Sequence, residues 1–245
     1  MRDLLAKYGR IAELREADRE TLTGLATEKR AYGAGARLAT DEYDAPDQLW
    51  IVEHGRLFAS QDLPSGARAI TRLYFSGDIV GTANIPFHKA TQNIVVSSDA
   101  VLYNFPRRKL VETFVQMPRV AAIFYTFAAL ENAILNDRLV SIGRTRGRAR
   151  LAALLLEIGA RHNLVFDTPP DRFPLGLTQA QIGDAIGLTD VQVNRLMRSF
   201  DRAGLIHRED GDVKVLDYGR LTEIGEFRDR YEDLNLEWFD DEMGG

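Results

Sequence analysis

The chain has 245 residues, 45% of them hydrophobic and 27% charged, with a formal net charge of −5 and no cysteine. That length allows one or two domains with a sizeable core. The missing cysteines exclude disulfides, cysteine-ligated zinc, cysteine-ligated iron–sulfur clusters and thiol redox sensing.

The acidity is local. Residues 1–143 hold 17 basic and 17 acidic side chains, residues 144–220 hold 12 and 10, and residues 221–245 hold 2 and 9. Local charge rather than the total sets attraction to phosphate, so residues 144–220 stay eligible for a nucleic-acid partner. No apolar run reaches the ~18 residues of a membrane span. The start, Met1-Arg2-Asp3-Leu4-Leu5, lacks a signal-peptide apolar region. A cytoplasmic protein without a membrane partner is expected.

The first thirty residues read as mostly helical, with Leu14, Leu22 and Leu25 on one apolar face. From Tyr32 to Phe105, apolar stretches at Leu49–Val52, Arg56–Ala59, Ile70–Phe75, Asn93–Val96 and Val101–Phe105 alternate with Gly, Pro, Asp and Ser clusters. This is the pattern of short strands in a sandwich or barrel, with turns at His54-Gly55 and Pro64-Ser65-Gly66. A short helix is expected over Arg107–Gln116 and a long one over Pro118–Ile142.

In the long helix, Ile123, Phe127, Leu130 and Ile134 alternate spacings of four and three, as in a coiled-coil seam. Leu135, Leu139 and Ile142 continue the stripe after an offset. Either the helix packs on the chain's own barrel or it pairs with a second copy; self-association is the preferred reading. Gly143 and Gly147 bracket an expected hinge, followed by a helix over Arg148–Arg161 and a loop holding Pro169-Pro170.

Residues 177–197 carry the most specific signal. Ile182, Ile186, Leu188, Val193, Leu196 and Met197 can share one core at helical spacings. Gly187 stands where a first helix must stop, and Thr189 where a second must be capped. The outer face of the second helix offers Asp190, Gln192, Asn194, Arg195 and Arg198, side chains suited to base edges and phosphates. Arg195 can instead pair with Asp190 or Asp201. Thr178 caps the first helix and can also touch phosphate. Leu205–Arg208 and Val213–Leu216 flank Glu209-Asp210-Gly211-Asp212, a hairpin signal. Gly211 could admit backbone to phosphate, although the turn alone explains it. The whole is a winged helix-turn-helix. Arg144, Arg146, Arg148 and Arg150 are expected to flank it with phosphate contacts, against the plainer reading of a solvated helix start.

In this order the chain resembles the CRP/FNR family of bacterial transcription regulators. Leu49-Trp50-Ile51-Val52 ahead of Gly55, and Phe75-Ser76-Gly77-Asp78-Ile79-Val80-Gly81, are similar to its cyclic-nucleotide-binding roll. Gly187 through Arg195 is similar to its DNA-reading segment. The resemblance implies an α+β fold: a sensory antiparallel β-roll with flanking helices over 1–117, a dimerisation helix over 118–143, and a winged helix-turn-helix over 144–220. An acidic, helical extension over 221–245 follows, with Leu221, Ile224, Phe227, Tyr231, Leu234 and Trp238 as its stripe. This extension either packs on the body, masks the basic face or meets a partner. The implied partners are a near-palindromic DNA duplex, a second copy of the chain and, for an activator, RNA polymerase.

The resemblance breaks at the effector pocket. Cyclic-AMP receptors hold the buried phosphate with an Arg-Ser pair, and Ala90-Thr91 falls there; Leu135-Asn136 replaces their adenine-facing Thr-Ser. Cyclic AMP is therefore disfavoured. Gly77, Asp78, His88, Lys89, Thr91, Leu135 and Asn136 remain as candidate contacts to another small molecule. Haem at His88 is disfavoured as well, and no cofactor is assigned. The four histidines show no metal-ligand spacing, and no catalytic constellation is found. Val191 replaces a glutamate usual in the family's recognition helix, so a different half-site is expected, while Arg195 keeps the family's late arginine. A rival reading is a ligand-binding adaptor whose winged helix contacts protein; it predicts no salt-dependent duplex binding.

Overall fold

The computed structural model describes residues 1–40, 46–166, 171–232 and 234. The Pro169-Pro170 loop and the stripe position Trp238 lie outside the described residues. The chain divides into two compact units. One comprises residues 1–59, 74–133 and 230–245, and the other residues 60–73 and 134–229.

The first unit opens with α1 (Arg2–Ile11) and α2 (Glu16–Gly24). Along the chain β1 (Glu28–Tyr32), β2 (Arg37–Ala39), β3 (Gln48–Asp62), β4 (Arg68–Tyr74), β5 (Ile79–Val80) and β6 (Asn93–Pro106) follow, of which residues 60–73, the end of β3 and most of β4, fall in the second unit. Strands β1 and β2 pair antiparallel with β6, and β5 antiparallel with β3; the sheet order is β1-β6-β3-β4. The two stretches read as separate strands around His54-Gly55 are one strand. Gly55 adopts φ 92, and a Cβ there would come within 2.5 Å of the Asp99 carbonyl oxygen. The glycine thus lets β3 pass close beneath β6 instead of turning back. The turn at Pro64-Ser65-Gly66 forms as expected, with Gly66 at φ 83.

Two apolar clusters fill this unit. Trp50, Val52, Leu57, Tyr74, Val80, Ala90, Ile94 and Leu102 close the interior of the roll. Leu4, Tyr8, Leu22, Leu25, Ile51, Phe105 and Leu110 form the other, covered by α3 (Arg107–Gln116) and the start of α4 (Pro118–Arg144). Val120, Ile123 and Phe124 belong to that cluster, and the Phe127 ring lies tilted against that of Tyr8 with centroids 4.2 Å apart. The front of the expected coiled-coil seam is thus spent on the chain's own core. The apolar residues that α4 leaves exposed are Tyr125, Leu135, Leu139, Val140 and Ile142. Burial is anchored by charge: Arg119 Nε donates to Asp18 at 3.0 Å, and Arg119 Nη2 donates to the Glu13 carbonyl at 2.7 Å.

The second unit is built on α5 (Gly147–Asn163), whose Leu151, Leu154, Leu155 and Ile158 are buried. Around it stand β7 (Arg172–Pro174), α6 (Gln179–Ile186), α7 (Asp190–Arg202), β8 (Ile206–Glu209), β9 (Asp212–Val215) and α8 (Tyr218–Gly225). The sheet order is β7-β9-β8. Arg138 of α4 donates to both Glu157 carboxylate oxygens at 2.8 Å, and Arg161 Nε reaches Oε1 at 3.1 Å. Within the described residues, the helix expected over 221–245 ends at Gly225. Gly225 lies against α5, where a Cβ would meet the Ala153 nitrogen at 2.9 Å, and Glu226 turns the chain at φ 48. Residues 227–232 are not helical.

Candidate nucleic-acid interface

The turn between α6 and α7 is fixed by local chemistry. Thr178 and Thr189 each cap a helix: the hydroxyls accept from the Gln181 and Gln192 amides at 3.2 Å, and the glutamine side chains accept from the threonine amides at 2.9 Å. Two reciprocal capping boxes therefore satisfy the first donors of both helices. Gly187 ends α6 in the left-handed region at φ 66, ψ 45. Gly183 permits the crossing, because a Cβ there would lie 2.3 Å from the Leu188 carbonyl oxygen. Val193, Met197 and Phe200 face inward beside Ile182 and Ile186, while Leu188 and Leu196 are only half-buried.

The outer face of α7 remains open. Val191, Asn194, Arg195, Arg198 and Arg202 line one shallow depression of about 310 Å³. Arg195 has no ion pair among the described residues. Its two rival carboxylates are otherwise engaged: Asp201 accepts from Arg208 Nε at 2.6 Å, and Asp190 accepts from the Val191 amide at 2.8 Å. Asn194, Arg195 and Arg198 are thus brought together. Thr178, Thr189 and Gln192 make the capping bonds and are also exposed, and Asp190 stands at the first turn of α7. Gly211 occupies the wing tip at φ 87 beside Asp210 at φ 51, the two positive values a tight hairpin needs. Val191, which the resemblance already marked as altering the half-site, lies on this face, and so does Arg202, which the sequence did not single out; its i, i+7 spacing from Arg195 was the available signal.

The basic cluster splits. Arg148 donates to Ser199 Oγ at 3.1 Å with its guanidinium 4.8 Å from the Phe200 ring, and Arg150 donates to the Ile186 carbonyl at 2.8 Å. These two hold α7 and α6 onto α5. Arg144 and Arg146 are exposed. In the wing, Arg172 Nε donates to Asp212 at 2.8 Å, and that hydrogen bond raises the Arg172 pKa.

Of the candidate effector residues within 77–91, some are already engaged and others stand exposed. Asp78 is buried against Lys7 and accepts from the Phe75 amide at 2.8 Å. Gly77 lets α1 approach, since a Cβ would meet the Asp3 carbonyl oxygen at 2.7 Å. His88 and Lys89 are exposed, as are Leu135 and Asn136 on α4. Thr91 gives both its amide and its hydroxyl to Asn84 Oδ1, at 2.9 and 3.0 Å. Asn84, in the 3-10 turn Thr82–Asn84, is a buried side chain the sequence did not single out. A second is Arg56, stacked 4.7 Å from the Phe75 ring, whose pKa burial lowers to about 10. A buried phosphate needs a paired cation and free donors. Ala90 sits instead in the apolar interior, and Thr91 is already bonded. Among the described residues, no group of three or more His, Asp or Glu side chains could hold a metal ion. No single described helix is long and apolar enough to cross a membrane.

Residues 149–224 match a Crp-like helix-turn-helix domain, and residues 29–116 match a cyclic nucleotide-binding domain. The chain is 27% identical over 184 residues to the transcriptional regulatory protein btr of Bordetella pertussis, covering 75% of this chain and 76% of that one. It is 27% identical over 198 residues to the transcriptional activator protein FnrL of Cereibacter sphaeroides, covering 79% of each. Among solved structures it is similar to FixK2 of Bradyrhizobium japonicum, with a TM-score of 0.72 and 21% identity over 81% of this chain and 96% of that one.

Proposed function

Because the chain belongs to the CRP/FNR family of bacterial transcription regulators, we propose that it works in the cytoplasm as a homodimer whose two α7 helices enter successive major grooves of a near-palindromic operator. DNA binding and transcription regulation come with the family. The finer reading rests on one observation, the open face of α7 with Arg195 unpaired at its centre. Arg195 reads a guanine through O6 and N7, and Asn194 suits an adjacent adenine. Thr178, Thr189, Gln192, Arg198, Arg144 and Arg146 hold the phosphate backbone, and Asp190 contacts a cytosine amino group or tunes the first turn.

In this reading residues 1–117 form the sensory roll and 144–220 the DNA-reading part. Residues 118–143 pair the two copies through the exposed apolar residues of α4, a surface that neither core cluster uses. The effector is a molecule other than cyclic AMP. Contact with RNA polymerase belongs to an activator and is left to a transcription assay.

Selection of bound sequences from random duplex DNA tests the proposal. The expected result is a palindrome whose half-sites lie about 10–10.5 base pairs apart. Replacing Arg195 with Ala then costs about 1–3 kcal/mol and relaxes one base position. Absence of salt-dependent duplex binding would favour the adaptor reading.

A further inference from the structure

The recognition face holds one side chain that polar chemistry leaves unexplained. Val191 is 73% exposed, in the first turn of α7, and it borders the same depression as Asn194 and Arg195. The other apolar side chains of α7 turn inward: Val193, Met197 and Phe200 are buried and Leu196 is half-buried. A lone exposed valine on an ordinary surface needs no partner. This one stands three and four residues from the two side chains best suited to base edges, so it approaches the groove with them. Its two methyl groups are held nearly rigid, because a β-branched side chain in a helix has one strongly preferred rotamer.

The major groove offers a single apolar feature, the C5-methyl group of thymine. We propose that Val191 reads that methyl group, making it a specificity-determining residue. The inference rests on the DNA-reading role of α7 argued above. Four residues of helix span about 6 Å and base pairs stack about every 3.4 Å. The thymine therefore lies one or two steps from the guanine bound by Arg195. A carboxylate at this position would accept from a cytosine amino group; Val191 cannot, so the chain selects a methylated pyrimidine edge in place of a donor.

The test begins with the operator obtained by selection from random DNA. An operator with an enriched guanine but no thymine within two base pairs of it overturns the inference while leaving the DNA-reading role standing. With the thymine located, affinity is compared on duplexes carrying thymine or 2′-deoxyuridine there, which differ only in the methyl. Loss of one buried methyl in each half-site is expected to weaken the intact protein about tenfold in total. V191A, an exposed change that leaves the melting temperature in place, keeps only its Cβ and discriminates between the two duplexes less than the intact protein does. Equal sensitivity of V191A and the intact protein assigns the methyl to another residue and overturns the proposal. Cytosine and 5-methylcytosine at the same position separate the methyl from the thymine carbonyl. Gain of affinity on methylation supports the reading, and indifference overturns it. Failure to enrich any sequence removes the DNA-reading role itself.

Discussion

At the scale of single residues, the interface depends on side chains whose tasks differ from their appearance. Thr189 and Gln192 face outward, yet each is bonded to the other at the start of α7. Thr189→Ala removes that cap and is expected to lower the stability of the DNA-reading unit by ~1 kcal/mol, measured by denaturant unfolding. Gly183→Ala acts more severely. With the Leu188 carbonyl oxygen 2.3 Å from the added atom, and that atom part of the backbone, the turn must open. Thermal unfolding should show a loss above the ~1–3 kcal/mol of ordinary overpacking. Far-ultraviolet circular dichroism should show α6 and α7 retained or lost together.

At the scale of elements, legibility follows the range of the forces. The helices α6 and α7, the hairpin β8–β9 and the short helix α3 were readable because caps, left-handed glycines and apolar periods act within a few residues. Strand β3 was not, because the neighbour that makes Gly55 a crossing point, Asp99, lies far along the chain. Only the folded sheet distinguishes such a glycine from a turn. Arg148 and Arg150 misled for a similar reason. Their partners Ser199 and Ile186 belong to other helices, and charge alone cannot separate a clamp from a phosphate contact. The pocket candidates Asp78 and Thr91 were likewise claimed by Lys7 and Asn84. In α4, Val120 and Ile123 entered the roll's own cluster and left Leu135, Leu139 and Ile142 outward at spacings of four and three. Leu139→Glu is therefore expected to shift the chain from dimer to monomer in sedimentation equilibrium. Its melting temperature at low protein concentration should be unchanged.

At the scale of the whole molecule, residues 60–73 fall in the same compact unit as residues 134–229. Within that unit Arg68 donates through Nε and Nη2 to Asp184 of α6 at 2.8 and 2.6 Å, and Arg138 donates to the Thr71 carbonyl at 3.1 Å. Binding to DNA should still be governed by phosphate neutralisation. Its logarithm is expected to fall linearly with that of salt concentration, with a slope near −0.9 per contact, and R198A should reduce the slope by about one such contact.

Glu157 lies between Arg138 and Arg161 and is nearly enclosed. Severing the chain before Gly147 discards Arg138 together with Arg68, which strips Asp184 of a guanidinium and Glu157 of one of its two. An excised C-terminal fragment is thus expected to unfold at lower urea than the same residues do in the intact polypeptide, and E157Q in the fragment lowers the midpoint further, because it leaves the buried Arg161 without its carboxylate. What looks like a detachable cassette is completed by atoms supplied from two earlier stretches of the chain.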